Sequence, residues 1–216
     1  LPNTFQMDSL RYKWLIFILG SLFACQETPD FVVINGAIWK TQNLSTAIYQ
    51  NGDSIPFISD SVQWSLTKEG AWTYYENNDS LGQIYGKLYN WYAINDVRGI
   101  CPTGWRVSSQ KDWRHLIAAT IDPLHPADDL KSQKYWADPQ APLKNTLKIY
   151  ALPGGNRRDD GGFNGLLLSS PFWTSEDSAE SMALAVYMNT AHSQVGWGFG
   201  DKRNGLACRC VKDYDQ

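Results

Sequence analysis

The sequence is sparing with the side chains that most often carry catalysis and bind metals. Its 216 residues hold 3 His and 4 Cys. His115, His125 and His192 share no metal-ligand spacing. None of them stands in an arguable Ser-His-Asp or Cys-His constellation. Charge is scarce too: Asp, Glu, Lys and Arg make up 19% of the chain, where about a quarter is usual. The net charge of −3 leaves no basic face of the kind that neutralises phosphates, which excludes nucleic acid as a partner. No apolar run approaches the ~20 residues of a membrane-spanning helix.

Other chemical signatures are missing as well. The Gly-rich run 152–165 lacks the Gly-Lys-Ser/Thr ending and the strand-to-helix setting of a phosphate loop. It reads as a tight loop with several positive-φ positions. Asp159-Asp160 reads as a solvated turn rather than a calcium site. Glu176 and Asp177 are neighbours on a strand-like run, so they face opposite ways and make no acid–base pair. The expectation is no catalytic residue, no metal and no cofactor.

What the chain does have is aromatic bulk: 10 Trp, 11 Tyr and 8 Phe. Tryptophan buries a large area and keeps a polar N–H. Such residues can build a core that contains little regular structure, and they can line a sugar-binding surface. Most Trp are largely buried, so the first use outweighs the second.

The N-terminal stretch "MDSLRYKWLIFILGSLFACQE" reads as an address. Arg11 and Lys13 make a short basic segment, 14–23 an apolar one, and Leu22-Phe23-Ala24-Cys25 looks like a bacterial lipobox. Residues 1–25 are thus expected to be a lipoprotein signal with Cys25 lipidated, 26–30 a short tether, and 31–216 a single domain. The expected location is the bacterial outer membrane, periplasmic or surface-exposed, with the membrane as a partner through the lipid. Cys101, Cys208 and Cys210 then remain. Outside the cytoplasm a pair of them can oxidise, and spacing does not decide which is left over.

Along the domain, "FVVING" reads as a strand, with Trp39 and Leu44 in the core behind it. Residues 45–82 are polar and form a long loop region pinned by Tyr49, Phe57, Trp64, Trp72, Tyr74 and Tyr75. Leu88, Trp91 and Tyr92 recur at helical spacing, which predicts a helix over 85–96. Ser109 is a good N-cap with Asp112 at the third helical position. Trp113, Leu116, Ile117 and Thr120 then form the apolar stripe of a second helix. Residues 122–145 read as irregular. The last third alternates as short strands. Leu184, Val186 and Met188 share one face, as do Val195, Trp197 and Phe199. At the end Leu206, Cys208 and Cys210 oppose Ala207, Arg209 and Val211. The expected class is α+β: two short helices, then a small antiparallel sheet, with long aromatic-pinned loops.

Six strings, "INGAIWKTQNL", "YGKLYNWYAI", "CPTGWRVSSQKDW", "YALPGGNRRDDGGFNG", "FWTSE" and "RCVKD", follow one another in the order of a known family. Over roughly residues 32–213 the chain resembles the Fibrobacter succinogenes major paralogous domain, a family of largely secreted or lipid-anchored bacterial proteins. The "CPTGWR" block, its helix and the terminal "RC" strand also resemble, more distantly, the C-type-lectin-like fold and the formylglycine-generating-enzyme group. The resemblance implies that Cys101 and Cys210 pair. Cys208 then departs from the family, which usually has an apolar residue there. Such a bond would close a loop of about 100 residues and, in the chain-entropy model, destabilise the denatured state by about 5 kcal/mol. The "EPN", "QPD" and "WND" motifs of calcium-dependent sugar-binding lectins are absent. The distant enzyme relatives hold copper with a cysteine pair, and pairing of Cys210 leaves only one thiol here.

The expected function is that of a lipid-anchored, non-catalytic binding or adhesion module for glycans or protein partners. Trp64, Trp72, Tyr74, Tyr75 and Trp197 are the candidate binding residues. The alternatives are an enzyme on a formylglycine-generating-enzyme-like fold and a structural envelope subunit.

Overall fold

The computed structural model describes residues 29–139 and 141–213. Cys25 and the expected signal lie outside the described residues. No helix among the described residues is long and apolar enough to cross a membrane.

The chain opens with strands β1 (Phe31–Ile34) and β2 (Ala37–Lys40), paired antiparallel. Asn35 and Gly36 join them, both at positive φ (47° and 77°), the backbone that an Asn-Gly hairpin turn requires. Helix α1 (Ser61–Leu66), strand β3 (Trp72–Thr73), a 3₁₀ turn (Tyr75–Asn77) and helix α2 (Asp79–Tyr85) follow. Next come β4 (Leu88–Tyr89), α3 (Trp91–Ile94), β5 (Arg106–Val107), α4 (Gln110–Ala118) and α5 (Pro126–Leu130). The remainder is β6 (Gly154–Arg157), β7 (Phe163–Leu166), β8 (Ser169–Asp177), β9 (Met182–Asn189), β10 (Gly196–Asp201) and β11 (Cys210–Asp213).

The strands form several small antiparallel sheets rather than one. A four-stranded sheet has the order β1-β2-β11-β5, a three-stranded one β10-β9-β8, and two ladders pair β3 with β4 and β6 with β7. The first and last strands of the domain are therefore in one sheet. The segment ahead of β11 ties the others together through single bridges, Gly205 to Arg157, Leu206 to Tyr89 and Ala207 to Phe172. Its alternation works as the sequence suggests. Leu206, Cys208 and Cys210 enter a core cluster with Tyr89, Trp91 and Trp173. Ala207 and Val211 enter a second one with Trp39, Trp113, Phe172 and Val186.

Helix α4 forms where the capping signal placed it. The Ser109 hydroxyl accepts from Asp112 N, and the Asp112 carboxylate accepts from Ser109 N, which satisfies two otherwise unpaired donors. Trp113 and Leu116 are buried beneath it, and Trp113 Nε1 donates to Ser108 Oγ at 2.9 Å. Arg106 on β5 grips Asp112 through both guanidinium nitrogens and Asp213 through one. Burial alone would raise the Asp112 carboxyl, but Arg106 and Ser109 bring it below its ordinary value.

Four stretches differ from expectation. Residues 85–96 are not one helix. Gly86, at φ 80°, ends α2, and a Cβ there would lie 3.0 Å from Asn43 Cβ. The chain then extends into β4 before the four-residue α3 begins at its Asn90 cap. Leu88 and Trp91 mimic helical spacing because both are buried for separate reasons. The 45–82 region contains α1, capped by Asp60, and α2, and the 122–145 region contains α5 with Pro126 in its first turn. On β10, Phe199 points out to solvent at 61% exposure instead of into the core.

Cys101 and Cys210 form a disulfide across 109 positions, Cα to Cα 5.9 Å. It joins the corner ahead of β5 to the last strand. Cys208 is a free, fully buried thiol, and burial pushes its pKa up to about 12.

Candidate functional site: a tyrosine-lined cleft

The five aromatic residues singled out from sequence do not form one site. Trp64 is wholly buried, with the Arg157 guanidinium 4.5 Å from its ring centre. Tyr75 is buried against Phe163 at 5.3 Å. Both are core residues and offer no ring face to a ligand, which corrects their assignment as binding residues. Trp72 is half-buried, and its Nε1 donates to Ile55 O at 2.8 Å. Its ring lies between Phe57 (4.8 Å) and Tyr74 (5.1 Å), with Lys87 Nζ 4.4 Å above it. Tyr74 rests on Gly82 so closely that a Cβ would not fit. Trp197, on β10, is half-buried at the second core cluster, under Arg114 at 5.2 Å.

The acidic pairs are accounted for by neighbours. Glu176 accepts from Gln110 N at 2.8 Å, while Asp177 pairs with Lys202 at 2.7 Å. Asp160 pairs with Arg158, and Asp159 and Asp201 both meet Arg203. His125 contacts Asp122 at 2.9 Å on the surface. Among the described residues the sulfurs of Cys101, Cys208 and Cys210 lie within 4.8 Å of one another. With the disulfide formed, that trio offers a single thiol.

The concavity with the richest chemistry is elsewhere. A cleft of about 660 Å³ opens between the chain after β2, the C-terminal end of α2, and the segments around 132–135 and 145–152. That volume is in the usual range for small-ligand pockets, about 300–1,000 Å³. Tyr85, Tyr135 and Tyr150 line it, together with the amides Asn43, Gln83, Gln133 and Asn145 and the lysines Lys134 and Lys148. Tyr135 is 48% exposed, and its ring stands edge-to-face on buried Tyr85 at 5.8 Å. Burial, and after it the nearby Tyr135, raises the Tyr85 phenol above its ordinary pKa. It stays neutral at any physiological pH.

One buried cation holds the walls together. Arg209 Nη1 donates to the carbonyls of Lys40, Thr41 and Ile149 at 2.9, 2.6 and 2.7 Å, and Nη2 donates to Asn43 Oδ1 at 2.8 Å. The residue is fully buried, and burial lowers its pKa from the ordinary value. Asn43 Nδ2 in turn donates to Tyr85 O at 2.9 Å. Leu44 N donates to Cys208 O at 2.9 Å. The wall after β2, the end of α2 and the 149 segment are thereby fixed to the strand that carries the disulfide.

The rim is strained. Tyr135, Asn145, Lys148 and Tyr150 all line the cleft and all have positive φ, at 72°, 50°, 55° and 52°. A left-handed backbone costs an L-residue with a large side chain about 1–2 kcal/mol. At Lys148 and Tyr150 local bonds hold it: Asn145 Oδ1 accepts from Tyr150 N at 2.9 Å and Asn145 O accepts from Lys148 N at 3.0 Å. Strain concentrated at a concave surface is a common mark of a functional site. Sequence reasoning missed these residues. Tyr135 and Asn145 fall in the stretch expected to be irregular, and Lys148 and Tyr150 lie just beyond it.

The family model described as the Fibrobacter succinogenes major domain matches residues 32–212. No curated protein and no solved structure matches the chain significantly.

Proposed function

The chain belongs to the Fibrobacter succinogenes major domain family, and on that footing we propose that it is a lipid-anchored binding protein of the cell envelope whose cleft takes a glycan. The cleft carries this reading. It combines ring faces, neutral amides and hydroxyls, the groups that meet the C–H faces and the hydroxyls of a pyranose. Among the described residues, its lining has no carboxylate, histidine or cysteine. The anchor reading rests on the order of basic segment, apolar segment and Leu22-Phe23-Ala24-Cys25, and with it goes a location at the outer membrane. The mixed helices and sheets, closed by a bond from the corner ahead of α4 to the last strand, suit a variant of the C-type-lectin-like fold.

The test is isothermal titration of the full chain with a panel of oligosaccharides, followed by Tyr135→Ala. Binding that falls at least tenfold in this variant, with the melting temperature unchanged within a few degrees, supports the reading. Binding of every panel member that is indifferent to Tyr135 contradicts it.

A further inference from the structure

The cleft's charge is one-sided. Lys134 and Lys148 line it, both exposed, and no Asp or Glu among the described residues does. Neither ammonium group has an ion pair or hydrogen bond among the described residues. Two lysines nearby are committed to the protein. Lys131 Nζ donates to His192 O at 2.8 Å and lies 3.8 Å from Asp128. Lys87 Nζ donates to Ser45 O at 2.8 Å. Lys134 and Lys148 are instead held only by their backbones, Lys134 N on Ser132 Oγ at 3.1 Å and Lys148 N on Asn145 O at 3.0 Å. Lys148 does so at φ 55°, a conformation unfavourable for lysine that sets its Cα on the rim beside Tyr150.

The protein as a whole is acidic, with a net charge of −3. A concave surface with two free ammonium groups and no carboxylate in such a chain attracts anions locally, because low-dielectric walls focus the field of the charges that line them. The Asn145 amide adds to this. Its Oδ1 is occupied by Tyr150 N, so the amide's unoccupied end is its donor end.

We propose that the cleft selects acidic glycans, chains whose sugars bear carboxylate or sulfate groups. This rests on the cleft being the glycan site. Tyr135 and Tyr150 would take the sugar's C–H face, while Lys134 and Lys148 meet its anionic substituents. Lysine acts as a point charge with rotatable donors, so it accepts either a planar carboxylate or a tetrahedral sulfate ester. The experiment separates the two sources.

The full chain is titrated with an oligogalacturonate, a sulfated galactan oligomer and a neutral cello-oligosaccharide, at 20 and 200 mM salt. At least one acidic ligand should bind at least tenfold more tightly than the neutral one at low salt, and its advantage should shrink at high salt. Whichever of the two binds identifies the anionic group. Lys134→Gln and Lys148→Gln should each weaken that binding about tenfold, the scale of one charged hydrogen bond, and weaken binding of the neutral ligand by a smaller factor. Both side chains are exposed, so folding is not at risk, and an unchanged melting curve confirms it. Equal affinity for acidic and neutral ligands, with both lysine variants like wild type and Tyr135→Ala impaired, overturns the acidic selectivity and leaves the glycan cleft standing. No Tyr135-dependent binding to any of the ligands overturns both.

Discussion

Arg209 reaches Asn43 at 2.8 Å across 166 positions of sequence. Asn43 then donates to Tyr85 O at 2.9 Å. A fully buried guanidinium next to β11 thereby sets the position of a tyrosine in the cleft, and the Cys101–Cys210 bond begins at the very next residue. Core, disulfide and cleft wall are one mechanical unit. Arg209 has no carboxylate partner among its hydrogen bonds. Backbone carbonyls and one amide oxygen solvate its charge.

Arg209→Met should therefore be costly. It leaves the carbonyls of Lys40, Thr41 and Ile149 and the oxygen of Asn43 without their donor. Each buried acceptor left without a donor costs about 1–3 kcal/mol. Urea denaturation should show a loss of that order. Arg209→Lys should recover only part of it, since an ammonium cannot reproduce the two-nitrogen fork. Full recovery by lysine would show that charge alone matters there.

Cys101→Ser should destabilise the domain by up to about 5 kcal/mol in the chain-entropy model, given the long loop the bond closes. Cys208→Ala should cost far less, because it removes only a small buried group and leaves the disulfide intact. Non-reducing peptide mapping of wild type should find Cys101 linked to Cys210 and Cys208 unlinked. A Cys101–Cys208 peptide would contradict the structure.

The aromatic residues divide into two behaviours. Trp64→Ala should lose about 3–5 kcal/mol of stability, as truncation of a core tryptophan does. Tyr135→Ala, at a half-exposed rim position, should lose little stability and most ligand affinity. Thermal melts and titrations on the two variants measure this contrast. Equal destabilisation would place Tyr135 in the core instead.

Acid should weaken the fold partly through Asp96. The Arg98 guanidinium, bonded to both its oxygens, holds the Asp96 carboxyl down to about 2, against roughly 3.9 for a free aspartate. The folded value lies below the unfolded one. The contribution is thus fully present above about pH 4 and disappears as pH falls through about 2. Asp96→Asn should be less stable than wild type at pH 6, with the gap closing by pH 2. A gap that widens on acidification would reverse the sign and refute the pairing.

Cys25→Ser tests the anchor. Detergent-free fractionation should move the protein from the membrane to the soluble fraction. Retention in the membrane fraction, with the leader removed elsewhere, would refute lipidation at Cys25.

The sequence carried unequal information about these parts. Ser109 and Asp112 announced α4 because capping chemistry is local and has a fixed spacing. The alternation from Leu206 to Val211 was visible because both faces of that segment are buried in different clusters, so its period of two survives intact. The Cys101–Cys210 pairing came from resemblance, not from spacing. By contrast, β3 and β4 have two residues each, too short for any period to show. Gly86 broke an expected helix through a close approach to Asn43, a contact made across more than forty positions. The cleft was hidden for a different reason. Tyr135, Lys148 and Tyr150 hold a left-handed backbone that none of these residue types signals, and at Lys148 and Tyr150 it is held by bonds from their amides to Asn145. Trp64 and Tyr75 were candidates as aromatic residues in a long polar loop region, and burial assigns them to the core.

The most direct measurement is chemical-shift mapping by ¹H–¹⁵N NMR on the labelled full chain as an acidic oligosaccharide is added. Binding in the cleft requires saturable shifts at Tyr135, Asn145, Lys148 and Tyr150, with Phe57, Trp72 and Trp197 unmoved. Shifts confined to the Phe57–Trp72–Tyr74 cluster or to Trp197 on β10, with the cleft silent, would contradict it.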